Sequence, residues 1–160
     1  MYSINFIKEL RAKCHDGTYT PKQIHIKQSA PSLLRRSFKM RIVDAGDDEA
    51  TMAELYALEW PHFSMESYGI FVTASPKHAD AIMVVWAVTQ NMMNALKSSY
   101  DLTPSPKVII ACWDRAIHGD PRFPEVVGWA KDVLWSVDLE IPWNPPSARD
   151  ILDHLVSYLG

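Results

Sequence analysis

Short apolar runs alternate along most of this chain with stretches of helical period. Runs rich in β-branched and aromatic residues predict strands at about Met40–Ala45, Ile70–Thr73, Ala81–Trp86, Lys107–Cys112 and Val133–Glu140. Two of them, AIMVVW and VIIAC, are apolar on consecutive residues, the pattern of a central parallel strand covered on both faces. Helical periods fill the gaps at Asp48–Glu59, Gln90–Ser99 and Ala148–Tyr158. Thr89 stands where the second helix needs an N-cap. Ser147 and Asp150 form a capping box ahead of Ile151, Leu152, Leu155 and Val156. Strands interleaved with helices in this way specify an α/β domain built on an open doubly wound sheet, whose ligands sit outside the carboxyl ends of the strands. No repeat at a fixed period is present.

The pattern differs before Leu33. MYSINFIKELRAK places Ile4, Phe6 or Ile7, and Leu10 on one helical face that needs a partner. From Cys14 to Ser32 the chain is polar, with Gly17, Pro21 and Pro31, and reads as an extended arm. The expected organisation is therefore an N-terminal helix and basic arm over residues 1–32, followed by the α/β domain over 33–160.

At 160 residues, with 48% apolar and 22% charged positions and six Trp, the chain has the composition of one folded domain. No stretch approaches the roughly 18–20 apolar residues of a membrane span, and MYSINFIKEL lacks a signal-peptide layout, so a soluble, cytoplasmic protein is expected. The net charge of −3 hides an asymmetry. Arg11, Lys13, Lys22, Lys27, Arg35, Arg36, Lys39 and Arg41 crowd one segment with a single acid, Asp16, in front of an acidic body. Such an arm suits an acidic protein surface or anionic headgroups, or is a solvated linker; it lacks the interleaved aromatics of a nucleic-acid platform. Cys14 and Cys112, the two cysteines, are too few and too far apart for a disulfide framework or a thiolate metal site.

The strand-end loops hold no G-x-G-x-x-G, P-loop or nucleophile elbow. His62, His78 and His118 with Asp47, Asp48, Asp114 and Asp120 would make a metal site only if the loops converged, since no metal-binding spacing joins them. Three ordered segments are more informative: YGIFVTASPKHADAIMVVWAVTQNM, then SSYDLTPSPKVIIA, then VDLEIP-x-x-PPSARDIL. From about Leu33 to the C-terminus the chain resembles the 20 kDa subunit of respiratory complex I and the small subunits of energy-converting [NiFe] hydrogenases and formate hydrogenlyases. ASPKHAD and the spacing from DAG to Pro61-His62-Phe63 resemble the hydrogenase branch. The resemblance implies a flavodoxin-like, mostly parallel open doubly wound sheet, to which the residue pattern adds the N-terminal helix and extended basic arm.

It also implies one 4Fe–4S cluster on four cysteines, and here the chain departs from the family. The ligand positions fall on Asp48, Thr51, Arg115 and Asn144, so all four thiolates are missing. Arginine is permanently protonated, and threonine and asparagine are poor iron ligands. Cys112 lies three residues before the third position, inside a buried run, and Cys14 lies outside the matched region. The family's glycines beside the third and fourth ligands are replaced by Trp113 and Trp143, bulky where a backbone would approach a cluster. The expectation is that one or both indoles fill the vacated space and that Arg115 pairs with Asp47 or Asp48; the alternative is that both tryptophans face a partner subunit. Arg35, Arg36, Asp47 and His78 are candidate partner contacts.

The function expected from the resemblance is a cluster-free, non-catalytic subunit with a structural or coupling role in a complex I-like or hydrogenase-related oxidoreductase complex. Its implied partners are a large catalytic-type subunit, a ferredoxin-like subunit and a membrane subunit, with peripheral attachment to the inner face of the cell membrane and no nucleic acid. Two other readings stay open: a free-standing regulatory or binding protein that reuses the cleft, and a subunit of an active oxidoreductase whose electrons bypass this chain.

Overall fold

Seven strands and five α-helices form among the residues described by the computed structural model, which are 30, 31, 34, 37–46, 49–119, 126–128, 130–143 and 145–160. The expected N-terminal helix and basic arm lie outside these residues apart from Ala30 and Pro31, as do Arg35, Arg36, Asp47, Asp48, Asp120 and Asn144. The strands are β1 (Phe38–Asp44), β2 (Ile70–Val72), β3 (Ala81–Val85), β4 (Val88–Thr89), β5 (Val108–Cys112), β6 (Val126–Gly128) and β7 (Leu139–Ile141). The helices are α1 (Ala50–Ala57), α2 (Gln90–Leu102), α3 (Asp114–His118), α4 (Ala130–Leu134) and α5 (Ala148–Leu159).

Five strands pair in the order β2-β1-β3-β5-β7, every pair parallel, and β4 with β6 makes a small antiparallel ribbon. This is the flavodoxin-like doubly wound order, with its reversal between β1 and β3. The consecutive apolar runs explain the layering. All five residues of β3 and all five of β5 are buried. Met83, Val85, Ile110 and Cys112 pack with Leu55 of α1 and Ile151 and Leu155 of α5. On the opposite face Ile82, Val84, Ile109 and Ala111 pack with Leu96 of α2 and Val133 and Leu134 of α4. Each fully buried Val, Ile or Leu contributes about 1.5–3 kcal/mol, so these two strands anchor both layers.

Two expectations need correction. Val133–Glu140 is not one strand: Val133 and Leu134 close α4, and β7 begins only at Leu139. Ala130, Val133 and Leu134, spaced for a helical face, are buried, whereas Trp135 is 76% exposed at φ 61. Asp138 sets the start of the strand, its carboxylate accepting from the Ile109 N–H (2.8 Å) and its own N–H donating to the Ile109 carbonyl (2.8 Å). An apolar run this short fits either period, and packing against α2 decides it. Thr89 does occupy the N-cap of α2 but makes no side-chain cap bond. Its hydroxyl donates instead to the Ala45 carbonyl at 3.0 Å, closing the crevice between β1 and β3. A Cβ on Gly46, which sits at φ +140, would lie 2.6 Å from Thr89 Cγ2, so glycine is required there.

The capping box of α5 forms as the sequence predicts, with the Asp150 N–H donating to Ser147 Oγ (3.2 Å) and the Ser147 N–H donating to Asp150 Oδ2 (3.4 Å). A second acceptor reaches the same helix end from α1: Glu54 Oε2 accepts from the Ala148 N–H at 2.7 Å. That bond joins the helix after the first strand to the helix after the last. Glu54→Ala is expected to lower the unfolding free energy by about 1–2 kcal/mol, and Glu54→Gln by less, in denaturant titrations of the purified chain. Equal stability of the three proteins would show that the contact contributes nothing.

Candidate functional site at the strand ends

A parallel sheet sends its outgoing loops to one edge, and three tryptophans stand at that edge. Trp86 follows β3 directly, Trp113 follows β5 directly, and Trp143 lies two residues beyond β7. Trp86 and Trp113 are 6% and 1% exposed and meet edge to face, with centroids 4.5 Å apart at 84°. The Arg115 guanidinium stacks on the pair, 4.1 Å from the Trp86 centroid and 5.4 Å from that of Trp113. Ala50, in the first turn of α1, packs against the same cluster. Thr51 follows it, fully buried, with no hydrogen-bond partner for its Oγ1 among the described residues. Aromatic and cation–π contacts of this kind contribute about 0.5–2 kcal/mol each, most where water is excluded.

Trp143 is held differently. Its N–H donates to Asp114 Oδ1 at 2.8 Å, its carbonyl accepts from the Asp114 N–H at 3.2 Å, and the Trp113 N–H donates to the Ile141 carbonyl at 2.8 Å. These bonds lock the loops after β5 and β7 together. The indole turns toward α5 and meets the buried His154 ring edge-on at 5.4 Å, while His154 Nδ1 bonds the Asp150 carbonyl at 2.7 Å. Trp113 and Trp143 therefore do different things: the first is in the buried pair beneath Arg115, and the second lies against the last helix.

The backbone at all three is of a kind that glycine adopts most readily. Trp86 has φ 75, Trp143 has φ 93, and Trp113 has φ 96 with ψ 146. A bulky residue held in such a region costs about 1–3 kcal/mol and persists only where its surroundings over-determine it. Burial of the indoles and the cross-loop hydrogen bonds supply that determination.

The other sequence-derived positions are scattered. His78 ends a 3₁₀ turn at Pro76–His78, before β3 and thus at the opposite end of the sheet, with Nδ1 3.1 Å from Ser75 Oγ. His62 and His118 are exposed, Cys112 is buried inside β5, and Asp114 serves the Trp143 backbone. Among the described residues no three His, Cys, Asp or Glu side chains are placed to hold a metal ion. Trp86 was not among the sequence-derived candidates. Its signal was a shared position, since MVVW, IIACW and LEIPW each put a tryptophan at the end of a strand.

The chain and its fold are similar to a known group of proteins. A scan against models of known protein families returns no match. A probable membrane-bound hydrogenase subunit of Pyrococcus furiosus is 30% identical over 115 residues, which is 71% of this chain and 69% of the relative. One subunit of the F(420)H(2) dehydrogenase of Methanosarcina mazei is 32% identical over 105 residues, 64% of this chain and 56% of that relative. Among solved structures, a chain of the membrane-bound sulfane sulfur reductase, an archaeal respiratory membrane complex, superposes with a TM-score of 0.66 over 79% of this chain and 72% of its own length, at 19% identity. The chain belongs to the subunit family shared by membrane-bound hydrogenases, F(420)H(2) dehydrogenase, formate hydrogenlyase and NADH-quinone oxidoreductase. It spans just over half the length of the dehydrogenase and formate hydrogenlyase relatives.

The strained tryptophan backbone makes a specific order of stabilities. Trp113→Gly is expected to destabilise by about 3 kcal/mol or more through loss of the buried indole. Trp113→Ala loses the same burial and keeps the backbone penalty, so it is expected to be less stable than the glycine variant by about 1 kcal/mol. Thermal and denaturant unfolding of the two variants measure the difference; alanine equal to or better than glycine would exclude backbone strain at this position.

Proposed function

We propose that this chain is a cluster-free subunit of a complex I-like or energy-converting hydrogenase-related complex, with a structural or coupling role in place of electron transfer. Family membership supports the type of complex. The observation that carries the cluster-free reading is the site: where the resemblance calls for thiolates, the described positions offer a buried threonine hydroxyl and a guanidinium stacked on two indoles. A 4Fe–4S cluster needs deprotonated sulfur or an occasional imidazole or carboxylate, and a cation beside it would be a non-ligating neighbour. This donor set does not fit the group. Asp48 and Asn144 belong to the same proposed set and supply no thiolate.

On this reading the packed strand-end loops keep the shape of a docking edge for a large catalytic-type subunit. A ferredoxin-like subunit and a membrane subunit complete the assembly. Among the described residues no helix is long and apolar enough to cross a membrane, in keeping with peripheral attachment through partners on the inner face. Arg35, Arg36, Asp47 and His78 remain the proposed partner contacts. The assembly would have lost the electron relay at this position and would couple conformational or proton events to the membrane part.

Anaerobic purification of the tagged chain from cells that make it natively tests both halves. The expected result is co-purification with membrane-complex subunits, and iron and acid-labile sulfide in the isolated chain far below four per chain with no cluster EPR signal. Stoichiometric iron in the isolated chain would overturn the cluster-free reading, and recovery without partner subunits would overturn the assembly.

A further inference from the structure

The sheet has an unfinished edge. β1 pairs with β3 from Met40 to Asp44, but its pairing with β2 ends at Met40↔Val72. Beyond that point the strand Arg41–Asp44 has no strand neighbour on the β2 side among the described residues. A cleft of about 400 Å³ runs along this open stretch, walled by Met52 and Tyr56 of α1 and by Met92 and Ser99 of α2, with Val72 of β2 among its lining residues. Because α1 and α2 cover opposite faces of the sheet, the cleft has the shape of a strand position, the one β2 would occupy if it continued.

Backbone direction and side-chain chemistry both describe what fits there. The Phe38 N–H donates to the Gly69 carbonyl and the Met40 carbonyl accepts from the Thr73 N–H, so alternate residues of β1 point their backbone toward β2. By that alternation Ile42 directs its N–H and carbonyl into the cleft. Arg41 faces the α2 side, like Val43 two residues on. Its Nε is shielded from solvent and has no hydrogen-bond partner among the described residues. Asp44 and Glu59 also line the cleft, but neither accepts from that Nε. A buried guanidinium N–H left unpaired is costly, and the acceptor that suits it best is a carboxylate. On the α1 side the wall is apolar, with Tyr56 59% exposed and Val72 42% exposed at the rim. Successive side chains of a strand alternate between these two walls.

We propose that an extended segment of a partner subunit adds as a strand beside Arg41–Asp44, setting an acidic side chain on Arg41 and an apolar one against Met52 and Tyr56. Four residues of β1 offer about 13 Å of edge at strand rise, enough for a short β-augmentation. The inference rests on the proposed membership of a multi-subunit complex.

Hydrogen–deuterium exchange of the tagged chain, purified alone and in its native complex, reads the slot directly. The amides of Ile42 and Asp44, which the alternation turns toward the slot, are expected to exchange roughly tenfold or more slowly in the complex than in the isolated chain. Arg41→Met is expected to leave the thermal midpoint of the isolated chain unchanged or to raise it, by removing the unpaired buried N–H, while abolishing that protection. A complex that forms with no added protection at Ile42 and Asp44 overturns this inference and leaves the assembly standing. Protection already present in the isolated chain and lost on deletion of residues 1–29 assigns the slot to the chain's own N-terminal segment and overturns the partner reading. Recovery of the chain without any partner overturns both proposals.

Discussion

All strands of the main sheet run the same way, so one edge receives every outgoing loop and the space between those loops must be filled. In this protein the filling is an edge-to-face pair of indoles beneath a guanidinium. The rest of the edge depends on it. Ala50 packs on the pair and so fixes where α1 starts, while the Trp113 and Asp114 backbones tie the β5 loop to the β7 loop. Through Glu54, α1 then fixes the start of α5. The packing of two aromatic rings is thus propagated through backbone hydrogen bonds to both helices of one layer.

A tryptophan with a left-handed φ is a local conflict between residue and backbone. Three at one edge place that conflict at a single site. Local rules broken together in this way mark a place where something other than local stability set the geometry. On the proposed reading that something, at Trp113 and Trp143, is a loop shape suited to glycines beside a cluster. Side-chain replacement leaves the backbone bonds between Trp113 and Ile141, and between Asp114 and Trp143, unaltered, so the chemistry can change while the loop path stays. The cost of the strained backbone is offset by burial of ring surface that glycine could not supply.

Much of the fold was legible because the strongest signals were long or chemically specific. AIMVVW and VIIAC, rich in β-branched residues and apolar on consecutive positions, have the pattern of strands covered on both sides, and Ser147 with Asp150 marked the start of α5. The errors came where a short apolar stretch fits two periods. VLWSVDLE has the composition of a strand, yet Val133 and Leu134 find their partners on α2 as a helical face, and Asp138 admits the chain to the sheet only afterward. Thr89 had the right position and a different bond, since the Ala45 carbonyl across the crevice competes for its hydroxyl. At the site, the sequence singled out Thr51, Arg115, Trp113 and Trp143 as candidates but could not show that Trp113 would find Trp86. That contact joins residues on different strands, and neither ring carries a spacing that announces the other.

The two ends of the structure's chemistry are connected by β1. Its carboxyl end enters the crevice where Gly46 is crowded by Thr89 and Trp86, and among the described residues its side edge is open from Arg41 onward. The open edge follows from one arrangement: β2 is only three residues long, so among the described residues β1 is held on the β3 side alone over its last four residues. A strand supported on one side is the part of a sheet most able to accept a new neighbour. The tryptophan-filled crevice gives that half-supported strand a rigid anchor at its end. An incoming strand would then meet a preformed edge, with little ordering cost beyond its own.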